Sequence, residues 1–234
     1  MEDLIKKYID EKNTNLYNEL KEKYPITLTK YDLRDDGKNY LWQMSFQQNE
    51  YRIGYYEDIN STGFFTHELL HIHLIDKGFS NFPDILPDIK EGKKNLIFLP
   101  IIHHVNNILA HQKFYDDFIK MGYTPQEFIS DFNDALNPNQ IITNVDDAFL
   151  DGSIPYIGLT TFIGYYFTAR DNRNPNKEDD FQVILNHLAN KDKELFQILD
   201  NFWNSWRYTK SLENKLFLKS LFEQTEKLLD ERKK

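Results

Sequence analysis

The chain of 234 residues is long enough to bury a sizeable core, and its 18 Phe and 14 Tyr supply large side chains for packing. The net charge of −9 argues against a broad nucleic-acid-binding surface, which would need clustered Lys and Arg. The absence of Cys excludes disulfides, thiolate zinc sites and a Cys nucleophile. Charges interrupt every short apolar run near the first residue, and no stretch approaches the ~20 apolar residues of a membrane span. We therefore expect a cytoplasmic globular protein with no membrane or nucleic-acid partner.

The first part of the chain predicts one helix followed by strands. Apolar residues recur at helical spacing over 2–23, and Pro25 ends that pattern. Three strand-like segments then follow, at 26–31, 39–47 and 50–57, separated by turn signals. Short connections of this kind predict a small antiparallel sheet.

The next segment carries the most specific pattern in the sequence, His67-Glu68-x-x-His71. A helix is predicted from its capping residues at 61–62 to Gly78. Residues four apart share one face of a helix, so His67 and His71 can offer imidazole nitrogens to one ion. Glu68 lies about 100° further round, where it can reach a metal-bound water without ligating the metal. This chemistry predicts zinc held by two imidazoles, with Glu68 as the general base of a hydrolysis.

The order of a sheet followed by this helix resembles the zincin metallopeptidases. The resemblance implies a Zn²⁺ cofactor, a peptide or protein substrate, and an edge strand near the zinc that pairs with the extended substrate. By that analogy the strand at 50–57 is the candidate substrate edge, with Tyr51, Ile53 and Tyr55 on one face. The alternating pattern fits an ordinary internal strand equally well.

The rest of the chain is predicted to be mostly helical, after an irregular segment at 79–99 and with a turn-rich segment at 137–155. The predicted helices span 101–121, 124–136, 156–168, 181–190, 193–208 and 210–231. The most linker-like segment is 170–180. We therefore predict an α+β, zincin-like fold, with a catalytic domain at 1–170 and a helical extension at 171–234 that packs on it or continues it.

A catalytic zinc needs a third protein ligand. The metzincin pattern would require Gly at position 74 and His at position 77, where this chain has Leu74 and Lys77. Gluzincins instead take a Glu from a second helix. Of the first two Glu residues after the motif, Glu91 lies in a polar, turn-like setting and Glu127 reads as a helix cap.

The better candidate for the third ligand is His111, which lies on the predicted helix at 101–121 among apolar neighbours. A His in place of the gluzincin Glu departs from that branch. His104 is the alternative on the same stripe, followed by Asp116 and Asp117. Asn107 is predicted to orient a ligand through a hydrogen bond.

The sequence thus favours a zinc metallohydrolase, most simply a peptidase, in which His67, His71 and His111 hold zinc and Glu68 activates water. A second interpretation is a zincin-like metal-binding regulator or binding module without general peptidase activity. The chain is similar to the ImmA/IrrE peptidases, which act on narrow targets, in its HExxH helix and in having no predicted export signal. A third interpretation is a metal-free helical protein in which the motif is coincidental.

Overall fold

A computed structural model describes most of the chain, and every structural statement below concerns those residues. They are 2–30, 42–55, 61–81, 83–85, 98–128, 137–149 and 156–232. The fold is α+β, with a small three-stranded sheet and a majority of helix. Within these residues no helix is both long enough and apolar enough to cross a membrane.

The single helix predicted at the start of the chain is interrupted. Helix α1 spans Glu2–Ile5 and leads into a 3₁₀ turn at Lys6–Tyr8, whereas α2 spans Thr14–Lys23. Between them, the side chain of Asp10 accepts a hydrogen bond from the backbone N–H of Asn13, and the Asn13 side chain accepts one from the N–H of Asp10. Such local bonds compete with the helical ladder, which explains the break.

The sheet is mixed, so the prediction of a wholly antiparallel sheet is wrong. Strands β1 (Ile26–Lys30), β2 (Gln43–Gln47) and β3 (Glu50–Tyr55) lie in the order β1-β3-β2. β3 is antiparallel to β2 and parallel to β1. The tight β2–β3 hairpin sets the antiparallel pair, and β3 rather than β2 then pairs with β1. The predicted strand residues 31, 39–41 and 56–57 lie outside the described residues.

The candidate substrate edge at 50–57 is also corrected by this topology. β3 is the central strand, with a partner on each side. Tyr51, Ile53 and Tyr55 are all buried in the core, as expected for an internal strand. Their alternation therefore reflects packing of the sheet rather than a surface for substrate.

Helix α3 spans Thr62–Asp76 and confirms the predicted helix around the HExxH motif. The Ser61 side chain caps it by accepting a hydrogen bond from Gly63 N at 3.1 Å. Gly78, with φ +103°, follows its C-terminus in the left-handed conformation that glycine tolerates. The helix is buried on most of its surface, and it packs with the sheet and α2 in one core. That core contains Ile5, Tyr8, Tyr17, Leu20, Ile26, Leu28, Trp42, Tyr51, Ile53, Tyr55, Phe65, Leu69 and Ile72.

Helix α4 spans Leu99–Lys120 and ends before Gly122, whose φ is +92°. It confirms the second strong helix predicted from the sequence. By contact density the chain forms two compact units, which we call unit 1 and unit 2, and α4 contributes to both. Unit 1 comprises Met1–Lys77 and Phe114–Asn133, and unit 2 comprises Gly78–Lys113 and Asp134–Lys234. The sequence predicts a boundary at residue 170, with the extension packed on the first domain or continuous with it, and the helices on both sides of that position pack together in unit 2.

Unit 2 is helical in its described residues. Its further helices are α5 (Pro138–Ala148), α6 (Tyr156–Arg170), α7 (Glu178–Lys191), α8 (Lys193–Tyr208) and α9 (Asn214–Glu231). Helix α5 was not predicted. It begins where Asn137 accepts hydrogen bonds from two following backbone N–H groups, with Pro138 at the first helical position. The predicted helix at 124–136 begins as a 3₁₀ turn at Pro125–Glu127, and residues 129–136 lie outside the described residues.

Trp206 of α8 fixes the first part of α4 within unit 2. Its side chain is fully buried, and its Nε1 donates a hydrogen bond to the carbonyl of Leu109 at 3.0 Å. Lys113 of α4 donates in return to the carbonyls of Trp206 and Thr209, at 2.9 and 2.6 Å. These bonds satisfy carbonyls at the end of α8 and hold the turn of α4 that contains His111.

Candidate metal centre

The two imidazoles of α3 lie side by side. The Nε2 atoms of His67 and His71 are 3.1 Å apart, as the spacing of four residues on a helix predicts. His67 is buried and His71 is half-buried. Phe114 of α4 packs edge-on against both rings, at centroid distances of 5.3 and 4.8 Å, and Phe128 lies 4.6 Å from the His67 ring. Aromatic side chains therefore cover one side of the imidazoles.

Glu68 is buried between α3 and the sheet. Its Oε2 accepts a hydrogen bond from the backbone N–H of Met44, in β2, at 2.8 Å. Burial raises the pKa of the Glu68 carboxyl to about 8, and the bond from Met44 opposes that shift. A cation held by the neighbouring imidazoles would also oppose it, because a nearby positive charge favours the ionised carboxylate.

His111 completes a group of three imidazoles. It is buried on α4, one turn before Phe114 and on the same face of that helix. The candidate ligand atoms of His67, His71 and His111 all lie within 4.8 Å of one another. Tetrahedral zinc with Zn–N bonds of about 2.0–2.1 Å would place ligand nitrogens about 3.3 Å apart. The pair on α3, at 3.1 Å, is close to this spacing, and the whole group lies within 4.8 Å. The three histidines can therefore hold a metal ion.

Asp171 fixes the orientation of His111. It directly follows α6, and its Oδ2 lies 2.7 Å from His111 Nδ1 with both side chains buried. An ionised carboxylate only accepts, so Nδ1 carries the proton and Nε2 keeps its electron pair for a ligand. The Arg173 guanidinium and the Gln112 amide contact the other oxygen of Asp171, at 2.9 and 3.4 Å. A carboxylate behind a ligating imidazole is a common feature of metal sites.

Asn107 also contacts His111. Its Nδ2 lies 3.2 Å from His111 Nε2, across one turn of α4. Asn107 is predicted to orient a ligand, and its contact is with the nitrogen of His111 that would bind metal. The orienting role belongs to Asp171, which the sequence analysis missed. No spacing rule connects position 171 to position 111. The only signal in the sequence is general: an imidazole that binds metal usually has a carboxylate partner.

The alternative ligands lie outside the three-histidine group. His104 is exposed, and its Nε2 lies 3.0 Å from the hydroxyl of Thr168. Asp116 and Asp117 are exposed on α4. Glu127 accepts hydrogen bonds from the N–H and hydroxyl of Thr124, which confirms it as a cap. Glu91 lies outside the described residues.

Compared with protein-family models, curated proteins and solved structures, the chain matches none of them. What can be said of its chemistry comes from the site itself. Within the described residues, that site is a group of three histidines able to hold a metal ion, with a buried carboxylate next to the first of them.

Proposed function

We propose that this protein is a zinc-dependent hydrolase of peptide bonds with a zincin-like active site. The observation that carries the proposal is the convergence of His111 on the two histidines of the HExxH helix. A chance motif would not require a third imidazole at the same place, from a helix more than 20 residues away in the chain.

The donor set favours zinc. Three imidazole nitrogens leave one position open on a tetrahedral ion, which is the arrangement of catalytic rather than structural zinc sites. Calcium and magnesium prefer oxygen ligands, so they fit this group poorly. When bound, zinc would supply a Lewis acid and lower the pKa of a water molecule.

Glu68 is the proposed general base. It accepts a proton from the attacking water as the new C–O bond forms, and it passes that proton to the amine nitrogen as the C–N bond breaks. The products are one carboxylic acid and one amine, so no further reactant is needed. The hydrogen bond from Met44 to Oε2 holds the carboxylate in place.

We place the substrate on β2 instead of β3. In the described residues β2 pairs with β3 alone, and the Gln47–Glu50 pair flanks a two-residue turn in which both residues have positive φ. In such a hairpin the flanking pair is hydrogen-bonded, so the backbone groups of Met44 and Phe46 face away from β3. Because the Met44 N–H reaches Glu68, this side of β2 lies beside the proposed base. An extended peptide added there would place its backbone near the reacting group.

The first test is zinc content, measured by mass spectrometry on wild type, His67→Ala and His111→Ala. We expect one zinc per chain in the wild type and none in either variant. His104→Ala is the matched control, because it removes an exposed imidazole from the same helix as His111, and it should keep its zinc. A wild type that binds no zinc, even after zinc is added back, would refute the proposal.

The second test separates hydrolysis from metal binding. Glu68→Gln should retain zinc and fold but lose cleavage of a mixed library of unstructured peptides, whereas the exposed control Glu22→Gln should cleave as the wild type does. Cleavage by Glu68→Gln at the wild-type rate would contradict the assigned base. Stoichiometric zinc with no cleavage in the wild type would favour a metal-binding regulator instead.

A further inference from the structure

Asn107 occupies an unusual place for a polar side chain beside a metal centre. It is half-buried on α4, and its amide nitrogen is 3.2 Å from Nε2 of His111. Since Asp171 takes the proton on Nδ1, Nε2 is an acceptor, and the amide of Asn107 must be the donor to it. The Asn107 N–H is thus directed at the electron pair that His111 would offer to a metal.

One electron pair cannot serve two partners. A Zn–N bond of about 2.0–2.1 Å uses the same pair on Nε2 that accepts from the amide. Any gain from binding metal at His111 is therefore reduced by the hydrogen bond that has to be given up. Asp171 acts in the opposite direction, because its carboxylate increases the electron density of the ring.

We propose that the Asn107 amide has two alternative acceptors: the imidazole of His111, in competition with zinc, and the oxygen atom that fills the open position of the bound ion. The inference rests on the proposed zinc centre. If His111 Nε2 held zinc, the amide that lies 3.2 Å from this atom would be released next to the bound ion. A donor in this place stabilises negative charge on an oxygen bound to the metal, as oxyanion-stabilising groups do.

Zinc affinity tests the competition. Wild type, Asn107→Leu and Asn107→Ala are stripped of metal and titrated with zinc against a chromogenic chelator. The titration is run at about pH 6, below the pKa of about 7 of a zinc-bound water, because a neutral bound water is a poor acceptor and does not replace the bond to His111. Leu has the same number of side-chain heavy atoms as Asn and cannot donate, so both variants should then bind zinc about 2- to 10-fold more tightly, as expected for removal of one neutral hydrogen bond. Asn186→Leu on α7 is the control, because Asn186 is exposed and pairs with Gln182. It should bind zinc as the wild type does.

Binding of a metal-directed anion tests the second acceptor. The same proteins are loaded with Co²⁺ and titrated with acetohydroxamate, following the visible absorption of the ion. Loss of a hydrogen bond to a charged oxygen should weaken acetohydroxamate binding by about 10-fold or more in Asn107→Leu and Asn107→Ala. The Asn186→Leu control should show the wild-type affinity.

The outcomes separate this inference from the proposed function. Unchanged or weaker zinc binding in both Asn107 variants would overturn the competition, and unchanged acetohydroxamate binding would overturn the contact with the bound oxygen. Either result leaves the proposed function standing if the wild type holds zinc and His111→Ala does not. A wild type without zinc affinity overturns both. Circular dichroism of the metal-stripped proteins shows whether each variant is folded, and the Ala variant replaces the Leu variant if Leu disturbs α4.

Discussion

Helices α3 and α4 both supply imidazoles to the candidate metal centre, but they hold them differently. On α3, His67 and His71 are separated by one helical turn, and their Nε2 atoms lie 3.1 Å apart. Helix α4 supplies one imidazole, that of His111, and a carboxylate 60 positions later contacts its Nδ1. Local helix geometry explains the pair on α3, whereas the orientation of His111 depends on a residue that is distant in the chain.

This difference indicates which substitutions should disturb each part of the site. The spacing of four residues places the two rings of the α3 pair on one face of that helix. The orientation of the His111 ring depends on Asp171, which lies 60 positions later in the chain. We therefore expect substitutions to divide into those that affect the local pair and those that affect only the third ligand.

The largest effect should come from removing a ligand. His67→Ala and His111→Ala should each reduce zinc affinity by well over 100-fold, because a site with two imidazoles lacks the third bond of a catalytic centre. Titration of metal-stripped protein against a chelator measures both. Loss of zinc in His67→Ala alone would break the comparison, since α4 would then contribute no ligand.

Phe114→Ala should be the most destabilising single change near the site. The ring is buried and packs against both α3 imidazoles, so its removal should lower the free energy of unfolding by about 3–5 kcal/mol. Denaturant unfolding of the metal-stripped protein measures this cost. Phe114→Leu keeps most of the side-chain volume and should lower the free energy of unfolding much less. An equal decrease in Phe114→Ala and Phe114→Leu would mean that the aromatic contact matters and the filled volume does not.

Asp171→Ala should weaken zinc binding by about 10- to 100-fold while the α3 pair is left intact. Without the Asp171 carboxylate, the proton of His111 is no longer held on Nδ1, so Nε2 becomes a poorer ligand. Asp117→Ala, which removes an exposed carboxylate from α4, is the control and should leave zinc affinity unchanged. The same affinity in Asp171→Ala and wild type would show that His111 is oriented by its own packing.

The smallest effect concerns α3 alone. Ser61→Ala removes the side chain that caps its first turn, and it should lower the free energy of unfolding by about 1 kcal/mol with little change in zinc affinity. Ser205→Ala, the same substitution at an exposed position inside α8, should be neutral or slightly stabilising because Ala favours helix. Thermal unfolding of the two variants provides the comparison, and equal midpoints would argue against the cap.

Much of this organisation can be predicted from the sequence. The HExxH helix, its Ser cap and the Gly after its end follow from local rules, as do the second long helix and the three C-terminal helices. The position of His111 among apolar neighbours on a predicted helix favours it as the candidate third ligand. Local rules failed where a competing local bond acts, as at Asp10 and Asn13, which interrupt the first helix, and at Asn137, which starts one.

Only the tertiary structure decided the features that join distant parts of the chain. Strand alternation indicates which side chains face a core, but not which strand has two neighbours, so the pattern of Tyr51 and Ile53 does not reveal that β3 is central. The pairing of Asp171 with His111, and the contact of Met44 with Glu68, join residues with no periodic relation. Helical spacing determines contacts within one turn, because the backbone fixes them. Contacts across 24 or 60 positions exist only once the core has packed.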